Sequence, residues 1–124
     1  MVDHVSLQVA SFARALSFYT AALAPLGYVP QYVDEGAKSA GFGPEGSARL
    51  WIAEGTPAAK VHLALRSPGR EAVIAFHAAA VRAGGRDNGK PGLRPDYHAS
   101  YYAAFVLDPD GNNVEAVTHD ATAA

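Results

Sequence analysis

Apolar and polar residues alternate cleanly at the start of the chain. Over residues 2–10, Val5, Leu7 and Val9 fall on one side while His4, Ser6 and Gln8 fall on the other. That is the period of a half-buried strand. From Ser11 the period changes. Phe12, Ala15, Leu16, Tyr19, Ala22, Leu23 and Leu26 recur at helical spacing behind a serine suited to cap the helix. Gly27 is a natural stop, and Pro25 predicts an irregular last turn. Residues 28–34, 38–42 and 48–54 then read as three short strands, separated by Glu35-Gly36 and by the turn Gly43-Pro44-Glu45-Gly46.

The order then repeats. Residues 61–66 alternate, with Leu63 and Leu65 opposite His62 and Ala64. Ser67-Pro68 is expected to open a helix with proline at its tolerated first position. Val73, Phe76, Ala80 and Ala83 form its apolar stripe, and Gly84-Gly85 ends it. A Gly/Pro-rich loop follows, and residues 101–107 and 112–118 read as two strands joined by Asp108-Pro109-Asp110-Gly111. Matching Ser11 with Ser67 suggests an internal duplication, with module one at about 1–55 and module two at about 59–119 of one domain spanning 1–124. Such a pattern argues for an α+β fold with the helices on one face of the sheets. The other face must be solvated or line a cavity.

Composition narrows the chemistry. Of the 124 residues 49% are apolar, enough for a core without covalent staples, and there is no cysteine. Disulfides, thiolate metal sites and cysteine nucleophiles are therefore excluded, and a reduced, cytoplasmic setting is expected. MVDHVSLQVA has no basic segment leading into a long apolar run, so no signal peptide is expected. No apolar stretch approaches the roughly 20 residues that span a bilayer, so no membrane partner is expected. Net charge is −2, with the ten Lys and Arg scattered. Nucleic acid is then an unexpected partner, since phosphate binding needs a concentrated basic face.

The strand alternation also singles out polar residues. His4 and His62 each lie on the polar side of a strand whose other side is aliphatic, and Glu115 alternates with Val114 and Ala116. If both helices cover the aliphatic faces, all three side chains project from the open side. Two imidazoles and a carboxylate suit a non-thiolate divalent metal with coordination positions left open. Taken singly, each is an ordinary surface residue.

Longer stretches carry a resemblance. YYAAFVLDPDGNNVEAV resembles the final hairpin of vicinal-oxygen-chelate proteins, the glyoxalase/bleomycin-resistance/dioxygenase superfamily. DHVSLQV with the helix ARALSFYTAALAPLGY resembles the family's opening, and VHLAL resembles the strand that begins its second half. The resemblance implies two βαβββ modules curled into a cup, commonly a homodimer whose metal ligands come from both chains. It places histidine ligands at His4 and His62 and a glutamate ligand at Glu115, which would also serve catalysis. One departure stands out. Where glyoxalase I members carry a further glutamate ligand, the strand RLWIAEG places Trp51, with Glu54 only at its end. Trp51 would instead offer an apolar wall to a substrate, or sit in the core.

A divalent ion so held (nickel, zinc, manganese or iron) leaves room for a small molecule with adjacent oxygens and acts as a Lewis acid. The expected function is a metal-dependent lyase- or isomerase-like enzyme acting on a small oxygenated metabolite. The alternative is a protein that sequesters a drug or toxin without chemistry, as in the bleomycin-resistance branch. GKPGLRPDYHASYY is the candidate substrate-facing segment, with Arg94, Tyr97, Tyr101 and Tyr102 as contacts and His98 as an acid or base. His77 and His119 read as surface residues without a role.

Overall fold

Two sheets and two helices arise from the alternating and helical segments in the expected order. The computed structural model describes residues 2–120. Its elements are β1 (Val5–Val9), α1 (Phe12–Leu23), a 3-10 turn (Ala24–Leu26), β2 (Val29–Asp34), β3 (Ser39–Gly43), β4 (Leu50–Glu54), β5 (His62–Arg66), α2 (Arg70–Arg82), β6 (Arg86–Leu93), β7 (Tyr102–Leu107) and β8 (Asn113–Thr118). The strand orders are β1-β4-β3-β2 and β5-β8-β7-β6. In each sheet the first strand pairs in parallel with the last, and the other pairings are antiparallel. The duplication read from the sequence is thus a repeated βαβββ unit in an α+β fold.

Ser11 caps α1 as its position predicts. Its backbone is extended, and its hydroxyl accepts from the Arg14 N–H. The first turn of α1 holds no acidic residue, and Glu54 supplies the charge from the end of β4, accepting the Phe12 N–H at 3.1 Å and pairing with Lys38. A carboxylate at a helix N-terminus is favoured by the helix dipole. The Phe12 N–H, followed by Lys38, holds the Glu54 carboxyl below its usual range. Glu54 is therefore committed to the helix end. The last turn after Leu23 tightens into the 3-10 form at Pro25, and Gly27 ends it in the left-handed region.

Two expectations need correction. The second helix does not open at Ser67-Pro68. It begins at Arg70 behind Gly69, because the buried Ser67 hydroxyl turns onto the Gly69 peptide, donating to its carbonyl at 2.7 Å. The Gly/Pro-rich stretch after α2 is not all loop either, since residues 86–93 form β6. Two irregularities in its pairing with β7, around Gly89, destroy the period-two pattern that would mark a strand. Gly89 has φ of +157°, which suits glycine. Pro91 is tolerated because β6 is an edge strand.

Leu50, Ile52, Ala40 and Phe42 of the first sheet and Ala104, Val106, Val114 and Ala116 of the second share one buried cluster with Phe18, Tyr19, Val73 and Phe76 of the helices. The helices also pack against each other. Both sheets therefore turn their aliphatic faces to the helices and their polar faces away. A buried polar contact joins the modules: the Tyr19 hydroxyl donates to Asp108 in the β7–β8 turn at 2.6 Å. Burial, followed by the Asp108 charge, pushes the Tyr19 phenol well above its usual range.

On the outer side His77 of α2 meets Asp87 of β6 at 2.9 Å. The His77 contact, then the Gly89 N–H, lowers the Asp87 carboxyl to about 2. A depressed folded-state value favours the native state above the ordinary carboxylate pKa, and that contribution disappears as pH falls through the folded value. Thermal melts of the wild type and Asp87→Asn should differ at pH 6 and converge between about pH 4 and pH 2. A constant difference across that window would exclude the ionised carboxylate as the source.

Candidate functional site

On the face of the second sheet turned away from the helices, alternation puts Glu115 between the inward-facing Val114 and Ala116. It is paired in register with Ala64 of β5 and Phe105 of β7. Its carboxylate is only 1% exposed although it lies on the open face. Two side chains cover it. His62, at the start of β5, places Nε2 2.7 Å from Oε1, and Tyr101, just before β7, donates its hydroxyl to Oε2. Facing a carboxylate, His62 carries its proton on Nε2 and donates it. Burial, then the hydrogen bond to Glu115 and its charge, pushes the Tyr101 phenol up to about 12.

The loop before β7 fixes Tyr101. Its carbonyl accepts the Arg94 N–H at 2.7 Å and its own N–H donates to His98. Its ring meets Tyr97 and His119 edge-on, each at 5.1 Å between centroids. His98 is exposed at the rim, 5.7 Å from His119, with Nδ1 accepting the Ser100 N–H. Beside the carboxylate, Asn88, Arg94, Tyr97, Phe105 and Asn113 line a recess of about 300 Å³. Arg94 spans Phe105 at 5.3 Å and gives two of its N–H groups to the carbonyls of Gly92 and Lys90. Much of its donor capacity thus goes to holding the irregular end of β6.

The structure brings His62, Glu115, Tyr101, Tyr97, His98 and Arg94 to one region. It does not add His4. That residue is exposed before β1, bonded to Asp3 at 2.8 Å, and lines a groove of about 340 Å³ with Tyr28, Arg49 and Leu63. Among the described residues no group of three His, Asp or Glu is placed to share one ion. The convergence of His4, His62 and Glu115 expected from alternation is therefore not made within one chain. Alternation gives each residue's face, but β1 and β5 belong to different sheets and do not pair.

Tyr102 also leaves the expected group. It follows Tyr101 by one residue, so it points to the helix side, where it packs on the core with the Arg70 guanidinium over its ring. Trp51 lies on the open face of the first sheet, in register with Ser6 and Gly41, with Tyr32 5.6 Å away. Its indole rests on Gly41, where an added Cβ would come within 3.0 Å of the ring. It is a half-buried surface residue and not part of the core. Phe105 and Asn113 drew no notice in the sequence, and His119, expected to be a surface residue without a role, meets the Tyr101 ring. The first two share Glu115's face by strand parity, a signal that was available; the His119 ring contact had none.

The repeated units agree with the comparisons. A family model described as Glyoxalase/Bleomycin resistance protein/Dioxygenase superfamily matches residues 1–116. The chain belongs to this superfamily. A glyoxalase/bleomycin resistance protein from Albidiferax ferrireducens T118 is 27% identical, with a TM-score of 0.79 over 94% of this chain and 97% of that one. A glyoxalase-related enzyme from Fulvimarina pelagi shares the fold at 18% identity, with a TM-score of 0.71 over 94% and 86% of the two chains. A glyoxalase I variant from Zea mays does so at 23% identity and a TM-score of 0.66, with 94% of this chain matching 45% of that one. No curated protein matches. Among the described residues no helix is long and apolar enough to cross a membrane.

The superfamily's association with a divalent metal can be set against the residues present. An exposed imidazole beside a buried carboxylate, 2.7 Å apart, fits two ligand positions of a small ion. Among the described residues one chain supplies no third.

Proposed function

We propose that the chain is a metal-dependent enzyme of the lyase or isomerase type, acting on a small oxygenated metabolite. The observation that carries this reading is the His62–Glu115 pair on the open face, with Glu115 buried and held on both oxygens. His62 and Glu115 would hold nickel, zinc, manganese or iron, and His4 of a second copy would complete the set. The protein is then a homodimer with shared sites, working in the cytoplasm. A divalent ion held by these residues would supply Lewis-acid chemistry, favouring negative charge on a substrate oxygen.

The chain's own residues do the rest. Phe105 and Asn113 flank the pair and would bound the substrate, with Arg94 and Tyr97 closing the recess. His98, whose Nδ1 already accepts a backbone N–H, keeps its proton on Nε2 and is suited to donate at the rim. Trp51 and Tyr32 of the second copy would form the apolar wall opposite.

The test is elemental analysis of untagged, chelator-free protein beside two variants. Near-stoichiometric metal is expected in the wild type, with strong loss in His4→Ala and in His62→Ala. Co-expression of those two variants should recover metal that neither holds alone, because one of the two sites in a mixed dimer is intact. No metal after addition of each of the four ions would overturn the enzyme reading. It would favour a small-molecule binding protein of the bleomycin-resistance type, for which Trp51, Tyr32 and Phe105 offer aromatic surface.

A further inference from the structure

The Glu115 carboxylate has two oxygens, and the fold treats them differently. Oε1 faces His62, whose side chain is 55% exposed, so this oxygen borders solvent only through a group that can turn aside. Oε2 faces the Tyr101 hydroxyl. Tyr101 is not free to turn aside. Its backbone is bonded at both N–H and carbonyl within the loop of residues 94–101, and Tyr97 and His119 stand edge-on against its ring. With Glu115 only 1% exposed, water is not at hand to replace the phenol. A carboxylate held in this way presents one oxygen in one direction.

We propose that Tyr101 is a positioning residue for Glu115: its hydroxyl occupies Oε2 and leaves Oε1, the oxygen beside His62, as the one available to a metal ion. This rests on the metal reading above and revises the expectation that Tyr101 contacts substrate. Its consequence is a carboxylate bound through one oxygen, which keeps a coordination position free for the two oxygens of a substrate. Groups that hydrogen-bond a metal ligand fix its orientation, and their loss commonly costs roughly 10- to 100-fold in metal affinity.

Manganese binding is measured on the full-length protein by calorimetry, for the wild type, Tyr101→Phe and Tyr102→Phe. The phenylalanine at 101 keeps the ring and its packing and removes only the hydroxyl. Tyr101→Phe should bind manganese roughly 10- to 100-fold more weakly, with Tyr102→Phe, on the helix side of the sheet, unchanged. Infrared difference spectra of metal-loaded against metal-free protein read the binding mode directly. Widely separated carboxylate stretches, from one bound oxygen, are expected in the wild type, and a narrower pair, from two, in Tyr101→Phe. The wild-type spectrum stands even if the variant does not fold. Two-oxygen binding in the wild type, or unchanged affinity and bands in Tyr101→Phe, would overturn the proposal and leave the metal site standing. A wild type that binds no manganese, nickel, iron or zinc overturns both.

Discussion

Glu115→Gln should lower divalent-metal affinity by about a hundredfold or more while the protein still folds. Losing a group that merely orients a ligand costs roughly 10- to 100-fold in metal affinity. Here a ligand itself loses its charge. Glutamine keeps the shape of glutamate but offers one acceptor oxygen where two donors, His62 and Tyr101, require two. One of the two, the Tyr101 hydroxyl or His62 Nε2, must turn from donor to acceptor to meet the amide nitrogen. The stability cost is at most about 1–3 kcal/mol, that of a hydrogen bond lost at a buried group. His62 is not stranded by the change, since its side chain is largely exposed to water. Alanine is the poorer probe. It would leave the Tyr101 hydroxyl without its acceptor and open a cavity under both covering side chains, so that loss of metal and loss of structure would be confounded. Calorimetric titration with nickel or manganese beside a thermal melt separates the two effects. Unchanged affinity would place the ligands elsewhere, and an unfolded Gln variant would make the carboxylate a structural group first.

That Glu115 is both on the open face and buried marks the limit of what strand periodicity shows. In β8 the period of two is unbroken, so Val114 and Ala116 had to face the helices and Glu115 the other way. The same rule sets Trp51 opposite Ile52 and Tyr101 opposite Tyr102, which corrects the expectation that both tyrosines contact substrate. It says nothing of what comes down onto the open face. Glu115 is covered by a residue arriving from an irregular loop, whose course depends on contacts such as Arg94 with Lys90 and Gly92. β6 was missed for a related reason, because its irregular pairing erases the alternation a strand is recognised by. The α+β class and the repeated unit were legible because they rest on β1, β5, β8 and the two helices, where periods are regular. His4 shows the remaining gap. Its face follows from its parity, but whether it meets His62 depends on how two sheets are set against each other, and no local pattern encodes that.

Asp108→Ala should be the most destabilising of the substitutions considered, by about 3–5 kcal/mol, because several buried donors lose their acceptor at roughly 1–3 kcal/mol for each one left unpaired. The sequence marks Asp108 only as the first residue of a common turn. In the folded chain it is 4% exposed and accepts four hydrogen bonds. Oδ1 takes the N–H groups of Asp110 and Asn112, and Oδ2 takes the Tyr19 hydroxyl and the Asn112 side-chain amide. Asn112 in turn accepts the Val61 N–H at 2.9 Å, just before β5. One carboxylate thus ties α1 of the first module to the β7–β8 turn and, through Asn112, to the entry of the strand that carries His62. Alanine leaves the buried Tyr19 hydroxyl and Asn112 amide without acceptors. Against a typical total of 5–15 kcal/mol, that loss should lower Tm by roughly 10–20 °C. Tyr19→Phe removes one donor of four and leaves the carboxylate well bonded, so it should cost only about 1–2 kcal/mol. The double variant should lose less than the sum, because once the acceptor is gone the Tyr19 hydroxyl is a liability that phenylalanine removes. Strict additivity, or an Asp108→Ala melt within about 1 kcal/mol of the wild type, would mean that the apolar cluster alone joins the modules.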